Sequence, residues 1–252
     1  MTAAFLAISL IAGSQCLAAD PGVRERAFVR ALELFDSAKS PKDYRESARV
    51  LESILTDGYQ NGAVFYNLGN AYYRAGDYGR AILNYRKAKP FMPGDPYLSA
   101  NLAQALVAAP GRLTSPPDPW WKHVFFWTDW FSYPTKVYAT AAGLCGVALI
   151  FSAALLLRKP RLQLLAAFVL LVSASLGIDT FLRHQETASA NLAVITAETI
   201  ARKGMDDSYE PAFNQPLRDG AEFRILAEKP DWTFGHFESI GDGWVRNEFI
   251  AR

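Results

Sequence analysis

The chain has 252 residues, a mean hydropathy of +0.02 and a formal net charge of +1. That length holds one large domain or two small ones, and the near-neutral balance gives no electrostatic case for a nucleic-acid partner. The two cysteines, Cys16 and Cys145, both fall in apolar runs, so neither a disulfide framework nor a zinc site is expected.

The hydropathy average conceals very uneven segments. Residues 3–17 form an apolar run too short to span a bilayer, which takes about 20 residues. Cys16-Leu17-Ala18 fits a small-x-small cleavage site, so residues 1–18 read as a signal peptide. No Lys or Arg precedes the run. Gly-Ser-Gln before Cys16 is a poor lipobox, and a buried N-terminal helix is the alternative to export.

Residues 24–110 carry an internal period. Gly62 to Asp95 places Phe65, Leu68, Gly69 and Tyr72 on one helix, and Ala81, Tyr85 and Ala88 on the next, with Pro93 expected to end it. Gly69 and Ala81 are small where two helices would cross closely. This is a close match to the 34-residue tetratricopeptide (TPR) pattern. A weaker copy lies one period upstream. Asp43-Tyr44 aligns with Asp77-Tyr78, and Ser47, Leu51 and Ile54 take the places of Ala81, Tyr85 and Ala88. An earlier helix carries Phe28, Ala31, Leu34 and Phe35. Tyr97 to Ala109 repeats the first-helix half, which suits a closing cap because a lone repeat cannot bury its apolar face. The resemblance implies an all-α TPR solenoid with a partner-binding groove at Ala63, Tyr66, Asn70, Tyr73 and Arg74, extended by Tyr97, Ala100 and Gln104. That mix suits a peptide; the competing reading is an ordinary solvated face. Only Asn70 and Arg74 could grip a terminal carboxylate, so that specificity is not expected.

Residues 111–136 combine a Pro-rich linker at 114–119 with an aromatic segment. Trp120, Trp121, Trp127 and Trp130 fit the headgroup layer of a membrane, where an amphipathic ring is half-buried. Packing of these rings on the helical domain is the alternative. Two apolar runs follow, Val137 to Leu157 and Leu162 to Ile178, the second extendable to Leu182, so residues 137–182 read as a transmembrane hairpin. Arg158, Lys159 and Arg161 between them place the connecting loop in the cytoplasm by the positive-inside rule. Both flanks are then extracytoplasmic, in agreement with export. Asp179 is expected at the outer end of its span.

Residues 190–252 change to short alternating runs: Ala193 to Ile195, Glu222 to Leu226, Trp232 to Phe237, then a turn at Gly241-Asp242-Gly243 before Trp244-Val245. Trp232, Phe234, Phe237, Trp244 and Phe249 are expected in a barrel core. The Leu217-Arg-Asp-Gly-Ala221 and Gly243-Trp244-Val245 segments resemble bacterial SH3-like domains, implying a small all-β barrel.

Histidines 123, 184 and 236 are scattered, and no phosphate loop, HExxH or nucleophile elbow occurs. A non-enzymatic protein without cofactors is expected. Signal peptide, TPR repeats, two-span hairpin and SH3-like tail, in that order, resemble BatE-like proteins of aerotolerance-type operons. The resemblance implies a scaffold at the bacterial inner membrane with its TPR and SH3-like domains on the periplasmic side. Its partners would be membrane proteins bearing von Willebrand factor A domains, linked to a MoxR-type ATPase and to stress. A peptidoglycan-binding role for the SH3-like domain is the alternative.

Overall fold

The computed structural model of the protein describes residues 21–113, 120, 130–189 and 192–252. The signal-peptide segment 1–18, the linker at 114–119, Trp121, His123 and Trp127 lie outside the described residues, as does the side chain of His184.

Five helices come first: α1 (Pro21–Ser37), α2 (Pro41–Ile54), α3 (Gly62–Ala75), α4 (Tyr78–Ala88) and α5 (Pro96–Ala108). Each packs on the next, and α3 also reaches α5. Local chemistry sets their ends. Ser40 and Asp43 form a reciprocal capping box on α2. Asn61 accepts from the N–H groups of Ala63 and Val64 at the start of α3, and Asp95 does the same for Tyr97 and Leu98 on α5. Gly76, at φ +82°, closes α3 in the left-handed conformation.

Residues at the repeat's inward positions are buried: Phe65, Leu68 and Tyr72 on α3, Ala81, Tyr85 and Ala88 on α4, and Ser47, Leu51 and Ile54 on α2. Each large apolar side chain removed from water contributes about 1.5–3 kcal/mol. At Gly69 a Cβ would stand 2.5 Å from the Tyr85 ring, so the crossing of α3 and α4 requires glycine.

Two local readings differ from the structure. Asp43-Tyr44 and Asp77-Tyr78 match in sequence but not in role. Asp43 lies inside the first turn of α2, whereas Asp77 precedes α4 and makes no side-chain cap, pairing instead with Arg45 at 2.8 Å. Helix α4 also stops at Ala88, well before Pro93. Pro90 is nearer and has no N–H to continue the ladder.

Helices α6 (Tyr133–Leu157) and α7 (Pro160–Ser189) pack on each other as a hairpin. Both are long and apolar enough to cross a membrane. At 1.5 Å per residue the 25 residues of α6 reach about 37 Å. Its start is earlier than the uncharged run, because Ser132 caps it and Pro134 suits the first turn. The link between the helices is Arg158-Lys159 alone. Arg158, at φ +50°, turns the chain, Pro160 begins α7, and Arg161 lies within its first turn. At the opposite end Lys136 Nζ meets Asp179 at 2.7 Å, with the side chains 4% and 0% exposed. Asp179, near the end of the apolar stretch of its helix, thus faces Lys136 between the two helices.

The C-terminal residues form a five-stranded antiparallel sheet: β1 (Leu192–Ile195), β2 (Glu222–Glu228), β3 (Trp232–Phe237), β4 (Gly241–Arg246) and β5 (Ile250–Ala251), in the order β4-β3-β2-β1-β5. Its core gathers Ile195, Leu217, Phe223, Ile225, Phe237 and Val245. Phe223 stacks on Phe237 at 4.6 Å, and a Cβ at Gly235 would enter the Phe223 ring. The Gly241–Gly243 segment is strand, not turn. The chain reverses just before it at residues 238–240, with Ser239 at positive φ, and Gly241, also at positive φ, opens the strand. Gly243 keeps the strand flat where Ala201 and Ala212 lie against it. Strand alternation also splits the expected aromatic core. Phe237 is buried inside and Trp232 is buried beneath Arg246, but Phe234 and Trp244 are half-buried. Those two pair across β3 and β4, with Phe234 on the face opposite Phe237.

Candidate partner-binding surface

The sheet docks on the helical domain through α4. Val194, on β1, points away from the sheet core and is fully buried against Gly79, where a Cβ would meet the Ile195 carbonyl at 2.4 Å. Asp219, between β1 and β2, accepts from the backbone N–H groups of Tyr78 and Gly79, each at 3.0 Å. The β-domain thus supplies the cap that α4 lacks in its own sequence. Burial nevertheless pushes the Asp219 carboxyl above the usual range, outweighing those two hydrogen bonds. A bidentate Arg86–Glu222 pair at 3.0 and 3.1 Å, and Gly111 N–H donating to the Asp219 carbonyl at 2.9 Å, complete the joint. No reading of the sequence singles out this role for Asp219. The one available signal is Gly79, a poor helix former in the first turn of α4.

This joint leaves the face of α3 and α5 to be considered as the groove. Ala63, Arg74, Tyr97 and Gln104 are exposed there, Tyr97 at 73%. Tyr66, Asn70 and Tyr73 are half-buried. The reason is a shared polar network. Asn70 Oδ1 accepts from Tyr85 Oη at 2.8 Å and from Asn101 Nδ2 at 2.9 Å, and Asn101 also donates to Tyr66 Oη at 3.1 Å. These groups tie α3 to α4 and α5. Tyr85 lies beneath them, and its burial raises the phenol well above the usual range. Tyr73 packs edge-on to Tyr78 at 5.7 Å. The larger side chains that this face exposes are accordingly Arg74, Tyr97 and Gln104; Ala100 is exposed beside them.

The other expected site residues are placed as follows. Trp120 and Trp130 are 76% and 73% exposed, and Arg158, Lys159 and Arg161 are exposed at the closed end of the hairpin. Helix α6 is tethered to the helical domain, with Tyr133 N–H donating to the Pro90 carbonyl at 2.8 Å. His236 contacts Asp242 at 2.5 Å on the outer face of the sheet. Among the described residues no group of three His, Cys, Asp or Glu side chains could hold a metal ion.

No protein-family model matches the chain, and no curated protein matches it. The geometry must therefore carry the functional reading.

A cleft of about 770 Å³ opens beside the joint, between residues 110–113 of the helical domain and 212–218 of the β-domain. A smaller pocket of about 230 Å³ lies where α2, α3 and α4 meet the end of β5.

Proposed function

We propose that the protein is a non-catalytic membrane-anchored scaffold. One observation carries the reading: a helical stack and a β-domain, locked together through α4, both stand at the open end of an apolar two-helix hairpin. A rigid two-domain head on a membrane stem suits the presentation of a docking surface to integral membrane partners.

The stack is read as a TPR solenoid, supported by the buried register of Phe65, Leu68, Tyr72, Ala81, Tyr85 and Ala88. The β-domain is read as SH3-like, supported by the strand order β4-β3-β2-β1-β5. The basic loop at Arg158, Lys159 and Arg161 favours a cytoplasmic position for the closed end, which puts the head on the periplasmic side of an inner membrane. A BatE-like role follows from the order of these parts. In it the exposed residues Arg74, Tyr97 and Gln104 dock membrane proteins with von Willebrand factor A domains in a stress-linked complex.

The test is crosslinking in native membranes with mass spectrometry, comparing wild type with Arg74→Glu/Tyr97→Ala/Gln104→Ala. These side chains are exposed, so the fold is expected to survive. Loss of a specific membrane partner is the expected result. An unchanged partner set refutes docking on this face. Sidedness is checked with Lys159→Cys in a Cys16→Ser/Cys145→Ser background. A membrane-impermeant maleimide added outside intact spheroplasts should leave it unlabelled; labelling there overturns the topology.

A second reading, binding of peptidoglycan by the β-domain, is favoured by the half-buried Phe234–Trp244 pair on the outer face of the sheet. Retention of the full detergent-solubilised chain on purified sacculi, lost in Trp244→Ala, would support it. No retention ends it.

A further inference from the structure

The small pocket at the seam of α2, α3, α4 and β5 is unusual in its charge. Arg80, Lys87 and Arg252 line it together with a single acid, Glu52. Glu52 is already engaged, accepting from Tyr72 Oη at 2.5 Å. Arg252 is engaged outside the pocket by Glu228 at 3.1 Å. Two cations are left. The Arg80 guanidinium lies over the Tyr72 ring at 5.5 Å, and no carboxylate among the described residues pairs with it. Lys87 is half-buried, and no hydrogen bond or ion pair joins its ammonium to a described residue. An ammonium has three donors and no acceptor, and burying it without partners is costly. Burial pushes the Lys87 amine below the usual lysine range, despite the field of Glu52. Asn84 donates its amide to the Arg80 carbonyl, which holds the Arg80–Lys87 face of α4 in place. Phe65 and Leu83 add apolar surface to the lining.

We propose that this pocket binds a carboxylate, its oxygens taken by Lys87 and Arg80 and its carbon stem lying on Phe65 and Leu83. A carboxylate fits better than a phosphate. The guanidinium fork can take either anion, but Glu52 on the same wall repels a dianion more strongly than a monoanion. The pocket lies apart from Arg74, Tyr97 and Gln104, so the inference stands independently of docking on that face. The carboxylate can belong to a small acid or to a side chain of a peptide, and the experiment separates the two.

The full chain, in nanodiscs of phosphatidylcholine, is titrated calorimetrically with butyrate, with a capped peptide carrying one glutamate, and with inorganic phosphate. Saturable binding of butyrate alone identifies a small-acid site, and equal or tighter binding of the peptide identifies a peptide site; either supports the proposal. Lys87→Met, which keeps the aliphatic stem, should weaken binding about tenfold or more. Glu52→Gln should strengthen it severalfold, a gain that a merely structural role would not produce. Arg74→Gln should leave it unchanged. Should Lys87→Met fail to fold, butyrate must still protect Lys87 of the wild type from acetylation, read by mass spectrometry. No saturable carboxylate binding, tighter binding of phosphate than of either carboxylate, or affinity indifferent to both Lys87→Met and Glu52→Gln overturns the proposal.

Discussion

Replacing Asp219 with Ala tests the joint between the two domains. The carboxylate accepts from two N–H groups at the start of α4, and Asp77 offers that helix no side-chain cap. Losing a side-chain cap costs about 1–2 kcal/mol, and losing a negative charge at a helix N-terminus costs about 0.3–1 kcal/mol more. The sum is about 1.5–3 kcal/mol. Part is offset because the native carboxylate is itself half-buried at some cost, as its raised pKa indicates. The lower end is therefore expected, and at one decade per 1.4 kcal/mol it amounts to about a tenfold rise in local opening. Hydrogen exchange at the Tyr78 and Gly79 amides reads this directly. Asp219→Asn keeps an acceptor oxygen and should retain most of the protection. The pH dependence has a definite sign. The docked pKa lies above the ordinary value of 3.8, so protonation favours docking. That contribution is complete below 3.8 and is lost as pH rises through the raised docked value. Opening of the wild type, corrected for intrinsic exchange, should rise across that window and stay flat in Asp219→Asn. Unchanged protection of Tyr78 and Gly79 in Asp219→Ala would refute the interdomain cap.

Gly79→Ala should open the same joint from the other side, because its Cβ would meet the Ile195 carbonyl at 2.4 Å and backbone cannot rotate away. A loss of about 1–3 kcal/mol is expected, read as a lowered midpoint in denaturant unfolding. Asp179→Ala leaves Lys136 charged and buried between α6 and α7, and should destabilise the hairpin by about 3–5 kcal/mol in mixed-micelle unfolding. Lys136→Met/Asp179→Leu should recover most of that loss; a double variant as unstable as the single one would contradict the pairing. Tyr85→Phe removes one of two donors to Asn70 Oδ1, at a cost of about 0.5–1.5 kcal/mol, seen as a small fall in Tm with the fold retained.

The sequence by itself determined the elements whose causes are local or periodic. The apolar length of residues 137–157 and 162–178 is sufficient for two spanning helices, because a helix long and apolar enough for a bilayer needs no distant partner to be recognised. The repeat register identified the residues that the helical stack buries, since one stripe of each helix must leave water whatever lies opposite. Short alternating runs marked β1, β2 and β3, but Gly241-Asp242-Gly243 read as a turn because glycine in a strand makes sense only with Ala201 and Ala212 lying against it. Exposure on the groove face was half legible. Arg74 and Tyr97 are exposed as their positions suggest, while Tyr66 and Asn70 are drawn inward by Tyr85 and Asn101, which lie 15 to 35 residues away. Only the tertiary structure decided the joint. Asp219 lies more than 130 residues from the helix it caps, Lys136 lies 43 from Asp179, and Arg252 meets Lys87 at one pocket only after the sheet is seated on α4. Such contacts depend on where two separately specified units come to rest, and pattern and propensity act over a few residues along the chain.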